Sequence, residues 1–418
     1  MSARTTDALA EAIASEAKRA RPSAWAEARR AKALAAFQAG GVPHRRVEDW
    51  KYSDLRSALS SPAAVVETAP APAPFADIAG LRLEIRDGVL RSDLAKLPPT
   101  LEACDLSQLD AAPDWVRAQF GAQDAKEMAA ASLALMAGGV ALRVKSGVAV
   151  EEPLQLNFTS SSAHHARVLV VLEDGASLTL LESHDNAAPL ANLGVEIVLG
   201  EKAQLTHLRL AHSAETAVQV EEVAVSVAAG GAYRLHAADF GAKLSRLEVA
   251  IALTGETAEA QLSGVAVTAD TRHADVTTRI DHAVGNTHST QLFKYAAGGH
   301  SRTVYQGRIT VAEGADGTDS RQTAKALLLS PRAEADLKPE LIIFADDVKC
   351  AHGAAVGDLD AEALFYLRAR GIPEAEARGL LIRAFLEDAV SEIENEALRG
   401  AVWSAVEAAL ARASEAAS

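Results

Sequence analysis

Val168-Leu169-Val170-Val171-Leu172, followed within a few residues by Gly175 and Ala176, is the segment from which the fold of this 418-residue chain is read. Its texture returns three times. Val195-Glu196-Ile197-Val198-Leu199 precedes Gly200 and Ala203, Val223-Ala224-Val225-Ser226-Val227 precedes Gly230 and Ala232, and Val249-Ala250-Ile251-Ala252-Leu253 precedes Gly255 and Ala258. The alanines that open each following alternating run are 27, 29 and 26 residues apart. Short aliphatic runs punctuated by glycine read as strands. From about residue 139 to 357 no helix-length amphipathic segment interrupts them. Strands repeating at such a period without helices between them fit a solenoid, here a parallel β-helix whose coils each bury a layer of Val, Leu, Ile and Ala. A β-sandwich produces the same alternation, and periodicity alone leaves both open.

The flanks read differently. Pro22 to Phe37 is rich in Ala, Arg and Glu, with Pro22 suited to a first helical position and Gly40-Gly41 to a helix stop. Trp50 and Tyr52, set among charges, are placed to anchor their segment against a neighbouring surface. Ser61 to Pro74 reads as a semi-rigid extended linker. Leu81 to Leu90 alternates around Asp87-Gly88 like a hairpin, and residues 101–137 return to a helical composition. At the far end, Leu359 to Arg370 predicts a helix stopped by Gly371. Pro373 opens a second helix to about Val390, with Leu380, Leu381 and Phe385 on one side, and a third carries Ile393, Leu398, Val402, Trp403, Val406 and Leu410. This tail either caps the open end of the solenoid or offers a docking surface. Four regions result: 1–60 helical, 61–137 linker plus a mixed α/β segment, 138–357 β core, and 358–418 helical.

Composition excludes several classes. The charge balance is 41 basic against 56 acidic residues, net −15, which repels nucleic-acid phosphates and anionic membranes. Two cysteines, Cys104 and Cys350, cannot build a disulfide framework or a four-cysteine iron–sulfur site. The longest nearly apolar stretch, Met128 to Leu142, is broken by Ser132, Gly138 and Gly139 and is too short to cross a bilayer. With no apolar leader in residues 1–20, a cytoplasmic, reducing setting is expected. No P-loop, G-x-G-x-x-G after a strand, H-E-x-x-H, G-x-S-x-G or C-x-x-C occurs. These absences weigh against an ordinary enzyme.

The other histidines in and near the strands read as partly exposed polar residues at coil edges that find backbone partners, and Cys104 as a buried inert thiol. Cys350 and His352 stand apart, in Asp346-Asp347-Val348-Lys349-Cys350-Ala351-His352-Gly353. Residues i and i+2 of a strand share a face ~6–7 Å apart, which sets a thiol beside an imidazole. The pair suits a soft metal, with the remaining coordination positions filled from a second chain. The competing reading is that both simply pack.

Several ordered motifs resemble the SufB/SufD family of iron–sulfur cluster assembly proteins, and within it the SufD branch. They are Arg46-Val47-Glu48-Asp49-Trp50-Lys51-Tyr52-Ser53-Asp54-Leu55, His288-Ser289-Thr290-Gln291-Leu292-Phe293-Lys294, Tyr305-Gln306-Gly307-Arg308-Ile309-Thr310-Val311, the Asp346–Gly357 stretch, and Phe365-Tyr366-Leu367-Arg368-Ala369-Arg370-Gly371-Ile372. The resemblance implies a mainly β chain, with a right-handed parallel β-helix core flanked by N- and C-terminal α-helical regions. It implies a non-catalytic scaffold in a cytoplasmic complex with SufB and the ATPase SufC, which accounts for the missing P-loop. It places SufC on the C-terminal helices, at Leu364, Phe365, Tyr366, Arg370, Leu381 and Phe385, and SufB on the final coils. It associates His352, as a shared metal ligand, and Cys350 with the SufB–SufD interface, where a transient cluster forms. No cofactor is expected to be tightly bound to the isolated chain, and a homodimer of the free chain is compatible with the sequence. The absence of cysteines between Cys104 and Cys350 separates the chain from SufB. The alternatives are a divergent SufB-like scaffold and a β-helix carbohydrate-active enzyme. The latter is disfavoured by the 4% aromatic content.

Overall fold

The structure, a computed structural model, describes residues 8–17, 23–60, 74–122 and 127–415. Pro22 and all but the last residue of the Ser61–Pro74 linker lie outside the described residues.

The chain opens with α1 (Ala8–Glu16) and α2 (Ala24–Gly40), the latter stopped by Gly41 at φ 73°, and continues through a 3₁₀ turn at Glu48–Trp50 to α3 (Leu55–Ser60). β1 (Leu81–Arg86) and β2 (Val89–Leu90) form the expected hairpin. Asp87 and Gly88, both left-handed at φ 47° and 77°, make the two-residue turn whose twist matches paired strands. Residues 101–137 depart from the helical expectation. β3 (Leu101–Asp105) comes first and pairs antiparallel with the first solenoid strand, and only then follow α4 (Asp114–Gln119) and α5 (Glu127–Leu135). An otherwise open sheet edge supplies ladder partners that outweigh the local helix preference.

The core is a parallel solenoid of eight turns. Its sixteen strands are β4 (Gly138–Val144), β5 (Leu154–Ser160), β6 (His164–Leu172), β7 (Ser177–Asn186), β8 (Ala191–Leu199), β9 (Gln204–Ser213), β10 (Val218–Val227), β11 (Ala232–Asp239), β12 (Leu244–Leu253), β13 (Glu259–Thr268), β14 (His273–His282), β15 (His288–Ala297), β16 (Arg302–Val311), β17 (Asp319–Leu328), β18 (Glu334–Ile343) and β19 (Lys349–Gly357). Each turn gives one strand to each of two sheets. The even strands stack in order from β4 to β18, with β3 outside β4; the odd strands stack from β5 to β19, with the hairpin outside β5. The parallel ladders exclude the sandwich.

Register both supports and corrects the periodic reading. Val168, Val195, Val223 and Val249 stack directly upon one another. The alanine column slips once. Gln204 pairs with Ser177 and with Ala232, so Gly231, not Ala232, continues the column of Ala176 and Ala203. The turn glycines split likewise. Gly175 and Gly230 belong to a left-handed corner, at φ 70° and 64°, where Lys202, Thr257 and Asn286 of other coils hold φ 57°, 59° and 56°. Gly200 and Gly255 sit two residues earlier in their coils, where a β-carbon would meet backbone nitrogen of the coil below at 2.8 and 2.2 Å.

Inward positions such as Leu180, Val195, Leu205, Val223 and Ile251 fill the lumen. The helical ends cover the outer faces instead. α2 and α5 pack with Leu169, Val171 and Val220 of the even sheet. Beyond the solenoid come α6 (Ala361–Ala369), α7 (Glu374–Val390) and α8 (Glu396–Glu415), and Ile382, Leu386, Val402 and Val406 lie against Leu208, Leu210 and Val265 of the odd sheet. The tail therefore lies alongside the solenoid and does not cap its end, because its apolar stripe is met by an apolar outer sheet face. Among the described residues no helix is long and apolar enough to cross a membrane.

Candidate functional site

The last turn is where the solenoid stops without a lid. β18 and β19 are the terminal strands of the two sheets, and among the described residues neither has a partner on its outer side. Earlier strands have mostly buried inward residues, whereas β18 is half-buried along most of its length and β19 is exposed at every position but Cys350. Phe344 is 64% exposed and Val356 46% exposed beside them. An added β-carbon at Gly353 or Gly357 would touch nothing. Unpaired strand edges with apolar flanks are templates for another chain.

Cys350 and His352 stand on this edge. In the β17–β19 ladder they lie over Ser320 and Gln322, both buried, so the pair occupies the lumen-side positions of the final coil. His352 is exposed, while Cys350 is half-buried and packs on the small cluster of Ile309, Val311 and Ala315. Burial, then the Asp319 carboxylate, raises the Cys350 thiol, against a lowering contribution from the Ser320 backbone N–H. The thiol thus keeps its proton at neutral pH. Cys104 is half-buried, and burial pushes its thiol up to about 11, in keeping with an inert group.

The C-terminal surface divides. On α6, which buries no residue, Phe365 is 75% and Tyr366 59% exposed, with Arg370 stacked on the Tyr366 ring at 5.1 Å and Leu364 half-buried. Leu380 of α7 is also exposed. Leu381 and Phe385 are half-buried. Phe385 faces the solenoid, beneath the Lys294 ammonium at 4.6 Å, and Lys294 also bonds Asp388 at 2.5 Å. Phe385 is therefore part of how α7 is fastened down.

The N-terminal motif acts as a clamp across β12, β14, β16 and β18, the third held by Gln306 Nε2 donating to the Asp49 carbonyl at 3.1 Å. Trp50 is buried, donates from Nε1 to Glu127 at 2.7 Å, and lies under the Arg246 guanidinium at 4.2 Å. The Asp49 carboxylate accepts from Arg279 at 3.0 Å, Ser53 bonds Asp275 and His273, and Glu48 accepts from Lys338 at 2.7 Å. Tyr52 is only half-buried, so the anchor is Trp50.

Sequence reading missed the charged interior. Glu182, His184, His207, Arg209, Glu221 and Asp239 are all buried at inward positions. Burial opposes the Glu182 charge, but hydrogen bonds from His184 and His207 hold its carboxyl well below the usual range. Strand parity was the available signal: Leu178, Leu180, Glu182 and His184 share one face, and the first two are plainly core.

Comparison with known proteins places a family match over residues 156–385, to the SufBD core domain of the SUF system for FeS cluster assembly. The chain is 28% identical to the iron–sulfur cluster assembly protein SufD of Escherichia coli over 388 residues, covering 86% of this chain and 87% of that one. It is 28% identical to a SufBD-family iron–sulfur cluster assembly protein of Synechocystis over 394 residues, 86% and 85% of the two chains. It is 29% identical to Bacillus subtilis SufD over 339 residues, 78% and 75%.

Proposed function

The chain belongs to the SufBD family of iron–sulfur cluster assembly proteins, and from that premise we propose that it is a non-catalytic scaffold subunit that pairs with SufB and carries the ATPase SufC. The observation that carries this reading is the open last turn, where two unpaired sheet edges, exposed apolar side chains and the Cys350–His352 face coincide. SufB would add its strands to β18 and β19 through main-chain hydrogen bonds. A cluster in assembly is cargo at that seam, bound transiently. His352 would give it an imidazole nitrogen, and SufB the remaining ligands. Cys350 serves second, because its thiol must first lose a proton. SufC would dock on the exposed Phe365, Tyr366 and Leu380 patch, and the fastened α7 would pass its movement to the solenoid.

Co-purification with SufB and SufC, followed by cluster reconstitution, tests each part. His352→Ala should leave the complex intact and lower cluster yield at least ~10-fold. The double substitution Phe365→Ala, Tyr366→Ala should weaken SufC capture ~30-fold, as loss of an interface anchor does, and leave SufB pairing unchanged. Full yield with His352→Ala removes that side chain from the chemistry, and a chain that captures neither protein overturns the scaffold reading.

A further inference from the structure

Far from the open end, halfway along the lumen, three buried side chains converge. The Nε2 atom of His184 lies 2.5 Å from Glu182 Oε1 and 3.4 Å from Glu221 Oε2, and one ligand-type atom from each residue falls within 4.8 Å of the other two. All three side chains are at least nine-tenths buried. Around them the supporting contacts are already made. His207 holds the second Glu182 oxygen at 3.0 Å and is itself held at Nδ1 by the Tyr233 hydroxyl at 3.1 Å. Arg209 Nε donates to Glu221 Oε2 at 2.7 Å, and the Phe158 ring stacks on His184 with centroids 4.8 Å apart.

Two features are unresolved by protein groups alone. Three buried carboxyl groups, Glu182, Glu221 and Asp239, cluster around a single guanidinium, Arg209. Buried charge left uncompensated is costly. Second, Glu221 Oε1 is buried and has no hydrogen-bond partner, although buried polar atoms are nearly always satisfied. One dication would balance the charge and give the orphaned oxygen a partner.

We propose that Glu182, His184 and Glu221 form a site for a divalent first-row transition metal ion inside the solenoid. One imidazole and two carboxylates suit Zn²⁺ or Fe²⁺. His207 and Arg209 orient the carboxylates from behind, the role that outer partners play in metal sites. A cleft of about 430 Å³ between α8 and the odd sheet has His184 and Phe158 in its wall. The site is independent of pairing with SufB and uses neither Cys350 nor His352.

The test uses the full chain alone, stripped with chelator and titrated with Co²⁺, whose visible absorption and X-ray absorption report its ligands. One equivalent should bind with nitrogen and oxygen neighbours and no sulfur. His184→Ala and Glu221→Gln should each weaken binding more than ~10-fold, and Cys350→Ala with His352→Ala should leave it unchanged. The X-ray absorption of the unaltered chain answers the question even where a variant fails to fold. No binding by the folded chain, sulfur in the coordination shell, or affinity indifferent to His184 and Glu221 would each overturn the proposal.

Discussion

Acidification should cost stability through histidines that the fold keeps neutral. His282 is fully buried, with Nδ1 2.7 Å from Thr287 Oγ1 and Nε2 2.9 Å from Ser289 Oγ. His236 is buried with Nδ1 2.7 Å from Ser263 Oγ. Burial, aided by nearby Arg234 for His236 and by His288 for His282, pushes both down to about 4. An unfolded imidazole takes its proton near 6.5, and the folded one refuses it until about 4. The unfolded state therefore binds more protons in that window, so stability is complete above 6.5 and is lost as pH falls through about 4. At pH 5 each histidine accounts for about 2 kcal/mol of that loss. The wild-type profile alone would mislead, because burial and then Glu248 push the Glu222 carboxyl up to about 8. A raised carboxyl has the opposite sign: its neutral form favours the fold at low pH, and that advantage is lost as pH rises through about 8. Differences between variants remove this contribution. Urea unfolding followed by circular dichroism at pH 7 and pH 5 should show His282→Asn and His236→Asn each losing about 2 kcal/mol less than wild type. Parallel losses in all three proteins would refute the argument that these rings are held neutral by burial.

Three further outcomes follow from packing. Trp50→Ala removes the side chain under Arg246 and the partner of Glu127, and urea unfolding should show a loss of about 3–5 kcal/mol. Thr257 is a β-branched residue held left-handed at φ 59°, so Thr257→Gly should stabilise by about 1 kcal/mol, read as a raised Tm. Gly139 has φ 136°, and an added β-carbon would lie 1.7 Å from the Arg167 carbonyl oxygen. Gly139→Ala should cost about 3 kcal/mol in the same unfolding assay and loosen the β4–β6 ladder to hydrogen exchange.

What was legible in advance was local. The runs at Val168, Val195, Val223 and Val249 carry strand texture in their own residues, Asp87-Gly88 carries its turn, and Gly41 and Gly371 carry their helix stops. Each of these needs only neighbouring residues and a steric preference. Family motifs then separated a solenoid from a sandwich, which alternation cannot do. The tertiary structure decided the rest, because stacking joins residues a whole coil apart. Only the ladder shows that Gly231 replaces Ala232 in its column, and that residues 101–105 pair as an edge strand despite helical surroundings. Only the lumen's geometry collects Glu182, His184 and Glu221 from β7 and β10 into one dry place, where charge must be balanced. Only the course of α7 and α8 along an outer face leaves β18 and β19 uncovered. A chain specifies its strands by alternation, but which strand ends the stack, and what that end exposes, depends on where the last apolar helix finds a surface to cover.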